Sequence, residues 1–227
     1  YTLSLHDALP ILAPKLYMHE SSAVVRSSLL TEAALGLKLE HVEVNMGNRE
    51  HISPEFLKLN PAHTLPTLVD EGKAIFESGA INIYLVEKYG KDKSLYPDDP
   101  YEKALVNQIL LYVSGVVFPT AARIIRPVML ENAKTINPEG VEALRKVFEC
   151  IEKMIDGRVW AAGKNVTLAD FSLIPIISGI DVVLKLEESK FPNVTSYLKR
   201  AKELPYYHIN KKGDDLFRQI FLHQLNS

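Results

Sequence analysis

Asn60-Pro61-Ala62-His63-Thr64-Leu65-Pro66-Thr67-Leu68-Val69, followed at once by Asp70-Glu71-Gly72-Lys73 and Ala74-Ile75-Phe76, is the stretch on which the fold turns. Two prolines and an asparagine break regular structure in its first half. Thr67-Leu68-Val69 and Ala74-Ile75-Phe76 are short runs of strand-favouring residues on either side of a polar segment containing a glycine, which is the pattern of an antiparallel hairpin. Glu77-Ser78-Gly79 then leads into residues 80–89, where Ile81, Tyr84, Leu85 and Lys88 fall on one side of a helix.

Working upstream, Leu16-Tyr17-Met18 reads as a short strand. Ala23 to Leu35 places Val24, Leu29, Leu30, Ala33 and Ala34 at helical spacing before Gly36 ends the element. His41 to Val44 supplies a second strand, parallel to the first through a right-handed crossover. The order strand, helix, strand, irregular segment, two strands, helix is that of a thioredoxin-like domain, here residues 15–91. Residues 92–100 are polar and rich in breakers, as a linker should be. Everything beyond reads as helix: 101–129, bent or broken at Pro119 and Pro127, then 139–156, 168–184, 194–204 and a weaker tail around 214–222. The expected fold class is therefore α/β plus all-α, with a thioredoxin-like domain followed by a helical bundle over residues 101–227.

Composition narrows the function classes. A chain of 227 residues with a net charge of -2 can hold two small domains and has no basic stretch interleaved with aromatics, so nucleic acid is not an expected partner. The longest apolar region singled out, Phe171 to Leu184, is interrupted by Pro175, Ser178, Gly179 and Asp181, so it reads as a buried helix and no membrane partner is expected. The lone Cys150 permits no internal disulfide and no Cys/His metal spacing; among Val147, Phe148, Ile151, Met154 and Ile155 it is expected to be a small buried hydrophobe without chemistry. Tyr1 to Leu12 lacks a basic leader region and is not a secretory signal. Residues 1–14 are expected to be a non-native or disordered extension.

Three local features carry chemistry. Ser22 lies in His19-Glu20-Ser21-Ser22-Ala23-Val24-Val25-Arg26, just ahead of a helix, where a serine alone is an ordinary N-cap. Leu65-Pro66 and Glu77-Ser78 follow at about forty and fifty-five residues. Together with Asn60-Pro61-Ala62-His63-Thr64, this spacing resembles the cytosolic glutathione transferases, particularly the insect epsilon and delta classes, over residues 15–222. Thr167-Leu168-Ala169-Asp170 reinforces the likeness: it is a capping box, flanked by Val166 and Phe171 as a hydrophobic staple, at the position where the family starts its buried core helix.

The resemblance implies an enzyme that conjugates reduced glutathione, as co-substrate, to hydrophobic electrophiles in xenobiotic detoxification, with no metal, in the cytoplasm and as a homodimer. It implies Ser22 as the catalytic residue, chosen over Ser21 by counting back from Arg26 in the family's Ser-x-x-Val-Arg arrangement. The free thiol has a pKa of about 8.5, so a hydroxyl donor and a helix N-terminus aimed at the sulfur would raise the thiolate fraction at neutral pH. Pro66 is expected to follow a cis bond, with Leu65 pairing its backbone with the cysteinyl unit of glutathione. Ser78 would bind the γ-glutamyl carboxylate at the helix start and Glu77 the α-amino group. His51 and His63 would lie near the glycyl end. Tyr112, Phe118, Ala121 and Ile125 correspond to the hydrophobic substrate site, and the small residues Ala121 and Ala122 suggest an open pocket.

Two departures stand out. The family often has Pro-Pro where this chain has Ala23-Val24, and usually Arg or His where it has Gly79. They keep a second class of function in view, a protein that binds hydrophobic ligands on the same fold without turnover. Glutathione-dependent peroxidase or isomerase work, including a steroid-pathway role, would use the same thiolate. A glutaredoxin-type exchange is disfavoured because no cysteine stands near Ser22.

Overall fold

The computed structural model describes residues 13–227. The expected extension at 1–14 therefore lies almost wholly outside the described residues. Pro14 is already engaged with the sheet, its carbonyl accepting from the Glu40 N–H at 2.9 Å.

Four strands form one mixed sheet in the order β2-β1-β3-β4, with β1 Lys15–Met18, β2 Glu40–Glu43, β3 Thr67–Asp70 and β4 Lys73–Phe76. β1 is parallel to β2 and antiparallel to β3, and β3 is antiparallel to β4. The β3–β4 turn is Glu71-Gly72 with φ of +50° and +76°, the left-handed pair that suits the twist of a two-residue hairpin. α1 (Ala23–Leu35) makes the parallel crossover and ends at Gly36, whose φ of +64° costs a glycine little. The helix α3 (Ser78–Tyr89) follows β4 and packs on α1; the buried Asn82 amide donates to Ser27 Oγ at 2.8 Å. This is the thioredoxin-like arrangement expected.

The segment expected to be irregular contains a short helix, α2 (Pro54–Leu59). Its signal was present, since Ser53 Oγ accepts from the Phe56 N–H and Pro54 occupies the first turn.

The remainder of the chain is helical: α4 (Pro100–Tyr112), α5 (Phe118–Leu130), α6 (Pro138–Met154), α7 (Leu168–Gly179), α8 (Pro192–Ala201) and α9 (Tyr207–Asn226). α4 and α5 run together through a π turn at Val113–Val117. The turn precedes Pro119, which has no N–H to continue the i→i−4 ladder. Pro127 is accommodated inside α5 without ending it. The run 100–130 exceeds 171–184 in apolar length and by length and composition is long enough to cross a membrane; here it packs against α6, α7 and α9. α7 is buried along all twelve residues, as a central core helix should be.

Three expectations need correcting. Cys150 is exposed. The buried stripe of α6 runs through Leu144, Phe148 and Ile151, and Cys150 sits about 100° round the helix from Ile151. The reading of 214–222 as a weak tail is also overturned, because α9 is a continuous helix of 20 residues. Its buried face, Asn210, Gly213, Asp214, Phe217 and Phe221, has correct helical spacing, but its first three members are polar or glycine, which hid the start of the helix from apolar periodicity. Finally, 168–184 is not one helix: it ends at Gly179 and continues as a 3-10 turn over Ile180–Val182.

The capping box at the start of α7 is built around a fully buried carboxylate. Asp170 Oδ2 accepts from the Thr167 N–H at 2.8 Å and from Thr167 Oγ1 at 3.3 Å; Oδ1 accepts from the Ala161 N–H at 2.8 Å and from the Tyr197 hydroxyl at 2.9 Å. Burial pushes this carboxyl up to about 6, against the pull of its four donors. Asp170→Ala leaves two backbone N–H groups and a phenol unpaired and should cost about 3 kcal/mol near pH 4. Because the native carboxyl holds its proton to higher pH than the unfolded one, this contribution is complete below the ordinary aspartate range and declines as pH rises through about 6. Urea unfolding of both proteins from pH 4 to 7 should therefore show a gap that narrows with pH. A gap that widens would contradict the assignment.

Candidate active site

Strand register brings the three motifs to one end of the sheet. Tyr17 pairs with Thr67, and Thr67 pairs with Phe76. The chain leaving β1 toward Ser22, the chain entering β3 from Leu65-Pro66, and the chain leaving β4 into Glu77-Ser78 therefore share that edge. β2 exits there too, because Val44 N–H donates to Met18 O at 2.8 Å, and it leads on to His51.

Ser22 is the N-cap of α1, with φ −72° and ψ 123°, and its hydroxyl makes no capping hydrogen bond. An N-cap serine ordinarily uses that oxygen to accept from a first-turn N–H. Here the half-buried hydroxyl is uncommitted, and the first-turn N–H groups of α1 lack a side-chain cap. Ser21 differs: its Oγ lies 2.9 Å from His19 Nδ1. The geometry thus separates two serines that the sequence distinguishes only by motif counting.

The approach to Pro66 is organised by Asn60, which is fully buried. Its amide donates to Thr64 O at 3.0 Å and Thr67 Oγ1 at 2.9 Å, while its carbonyl accepts from the Ala62 N–H at 2.9 Å. The Leu65–Pro66 peptide is cis, as expected. Nothing in the motif reading marked Asn60 as the residue that shapes this loop.

Glu77 has φ +70° and ψ 113°, a conformation that costs a non-glycine residue about 1–3 kcal/mol and persists only where the surroundings impose it. It places Ser78 at the first position of α3, again without a side-chain cap. Two helix N-termini, α1 and α3, thus open on the same end of the sheet with N–H groups available to anionic groups. His51 and His63 stand with ring centroids 6.1 Å apart. Burial, and then the neighbouring His63 and Arg49, hold His51 below its ordinary value, so it is neutral at pH 7. Its Nδ1 is buried without a partner. Among the described residues, no group of three or more His, Cys, Asp or Glu side chains could hold a metal ion.

The positions matched to a hydrophobic site are less uniform. Tyr112 is half-buried, and burial pushes its phenol up so that it stays neutral. Phe118 is exposed, Ile125 packs beside Val128, Phe217 and Phe221, and Ala121 is 3% exposed inside the helical core. A small residue here signals close packing of α5, not an open pocket at that point.

The family model described as "Glutathione S-transferase, N-terminal domain" matches residues 14–87, and that described as "Glutathione S-transferase, C-terminal domain" matches residues 105–205. A glutathione S-transferase 1 of Manduca sexta is 35% identical over 214 residues, covering 93% of this chain and 98% of its own. Among solved structures, an epsilon-class glutathione S-transferase from housefly, Musca domestica, has a TM-score of 0.90 at 35% identity, covering 93% of this chain and 98% of its own. A glutathione transferase homologue from Drosophila mojavensis, with bound glutathione, has a TM-score of 0.91 at 37% identity, covering 94% and 98%.

Gly79 is open to a test. A Cβ at this position would meet nothing within 4 Å, so the first atom of a side chain is accommodated without a clash. Gly79→Arg adds a cation to the first turn of α3 and a better helix former. A charge-assisted hydrogen bond to a bound carboxylate is worth about 1.5–3 kcal/mol, so KM for glutathione should fall by roughly tenfold or more. Steady-state kinetics at fixed electrophile measure this, and an unchanged KM would show that no carboxylate is bound beside residue 79.

Proposed function

The chain belongs to the glutathione S-transferase family, and we propose that it is an epsilon-like enzyme in which Ser22 activates glutathione for attack on hydrophobic electrophiles. Two facts support the choice of Ser22: its hydroxyl is left free at the N-terminus of α1, and strand register gathers that terminus with Leu65-Pro66 and Glu77-Ser78.

In this reading glutathione lies along the shared edge of the sheet. The backbone of Leu65 pairs with the cysteinyl unit. Ser78 and the N–H groups of α3 receive the γ-glutamyl carboxylate, and Glu77 pairs with the α-amino group. His51 and His63 face the glycyl end, where a neutral His51 donates one hydrogen bond. The Ser22 hydroxyl donates to the sulfur and, with the positive end of α1, stabilises the thiolate relative to the thiol. Serine is too weak an acid to serve as the base, so the thiol proton leaves to solvent. The thiolate forms the carbon–sulfur bond and the electrophile loses its leaving group, or takes up a proton where it is an acceptor alkene.

Residues 15–91 then form the glutathione-binding domain, 92–100 the linker and 101–227 the domain that presents the electrophile. Tyr112, Phe118 and Ile125 are the surfaces retained for that substrate. Detoxification in the cytoplasm and a homodimer follow from the family reading. Tyr101 and Leu111 stand exposed on α4 as apolar surface that pairing could cover.

Ser22→Ala should lower kcat with a standard aryl halide electrophile by roughly 10²–10³-fold, with KM for glutathione changed less than about threefold, because the lost bond strengthens as thiolate forms. Ser21→Ala should retain most of the wild-type rate. Equal losses in the two variants, or a wild-type rate in Ser22→Ala, would sink this assignment.

A further inference from the structure

The C-terminal helix reaches the entry of α1 at two points, one on each side of Ser22. Gly213 lies in the interior of α9, where glycine costs about 1 kcal/mol relative to alanine. A Cβ there would stand 2.3 Å from the Glu20 carbonyl oxygen and 2.6 Å from Arg26 Cδ. Only a glycine lets the α9 backbone approach this closely. The Glu20 carboxylate is held from the same helix by Lys212 at 2.9 Å.

The second point is Arg26. Its backbone N–H closes the first turn of α1 on Ser22 O at 3.0 Å, while its side chain is 1% exposed. The guanidinium donates to Pro175 O of α7 at 3.0 Å and to Asn210 O of α9 at 3.3 Å, and lies 3.3 Å from Asp214 Oδ1. Asp214 is anchored in turn by Arg218 at 2.8 Å, and Arg218 pairs with Asp181. A buried ion pair is a costly way to join two helices, since apolar side chains of similar volume often do as well or better. An interior glycine and a buried charge, each locally unfavourable, thus meet on the same few residues beside the uncommitted hydroxyl. Local rules broken together in this way mark places where geometry outweighs stability.

We propose that Arg26 and Gly213 are positioning residues for the transferase reaction: they fix the Glu20–Ser22 entry against α9 and thereby set where the Ser22 hydroxyl stands relative to the sulfur of bound glutathione. The inference deepens the reading of Ser22 above and depends on it. The helix farthest along the chain then governs thiol activation without touching the substrate.

The test compares wild type with Gly213→Ala, Arg26→Lys, Ser22→Ala and Phe221→Leu. Phe221 is buried in α9 about two turns beyond Gly213 and touches neither Glu20 nor Arg26, so its variant destabilises the helix without altering the α1 entry. The readouts are the thermal midpoint, the thiolate absorbance of bound glutathione against pH, and the pH profile of kcat. Displacement of a reacting group by about 1 Å can cost up to 10²-fold, so Gly213→Ala and Arg26→Lys should each lower kcat about tenfold at pH 6.5, with KM within about twofold. Both should raise the apparent pKa of the bound thiol, and the rate should recover at higher pH. Phe221→Leu should lower the midpoint and leave the profile in place. The proposal is overturned if both positioning variants keep the wild-type profile, whatever their stability; should Gly213→Ala fail to fold, Arg26→Lys decides alone. If Ser22→Ala also leaves the thiol unshifted, the reading of Ser22 has failed; if only Ser22→Ala shifts it, the positioning role has.

Discussion

A helix begins with N–H groups that nothing inside the helix can satisfy, and the organisation of this protein turns on the fact that α1 leaves its own unsatisfied. Ser22 stands where a capping oxygen is expected and withholds it. The cost of an uncapped start, on the order of 1 kcal/mol, is tolerable because α1 is packed against α3, α7 and α9 and does not depend on its cap for existence. The hydroxyl and the positive end of the helix are consequently available to an anion. The sheet brings Pro66 and Ser78 to the same edge as this helix start.

The two halves of the chain play unlike parts in holding this arrangement. The small sheet supplies backbone direction, with Asn60 shaping the turn before Pro66 and Glu77 held at positive φ ahead of α3. The helical half supplies rigidity. Asp170 ties the start of α7 to the segment before it and to Tyr197 of α8, and α7 and α9 then receive the side chain of Arg26. Ser22 is therefore positioned from below by its strand and from the side by helices far away in sequence.

How much of this could be read from the residues depended on whether the signal was local. Gly36, the Glu71-Gly72 turn and the Thr167-x-x-Asp170 box each act through neighbouring backbone, so they located elements to within a residue or two. The motifs around Ser22, Pro66 and Ser78 were legible for the same reason. The start of α9 was not, because its buried face there is built from Asn210, Gly213 and Asp214, whose partners lie on α1 and α7 and leave no apolar period. Cys150 lies a single step round α6 from the buried stripe, an offset that the apolar residues Val147, Phe148 and Ile151 close to it in sequence conceal. Ala121 was taken to open a pocket, yet a small side chain admits a neighbouring helix as readily as a ligand. In the sequence only motif counting separates Ser22 from Ser21; that the Ser21 hydroxyl is engaged by His19 depends on the loop's shape and could not be read there.

The most direct test is a crystal structure with glutathione bound. The account predicts the sulfur within hydrogen-bonding distance of Ser22 Oγ at the N-terminus of α1, the γ-glutamyl carboxylate at Ser78, and Ser21 still turned to His19. A sulfur lying beside Ser21, or a Ser22 hydroxyl folded back to cap α1 with the thiol elsewhere, would contradict it.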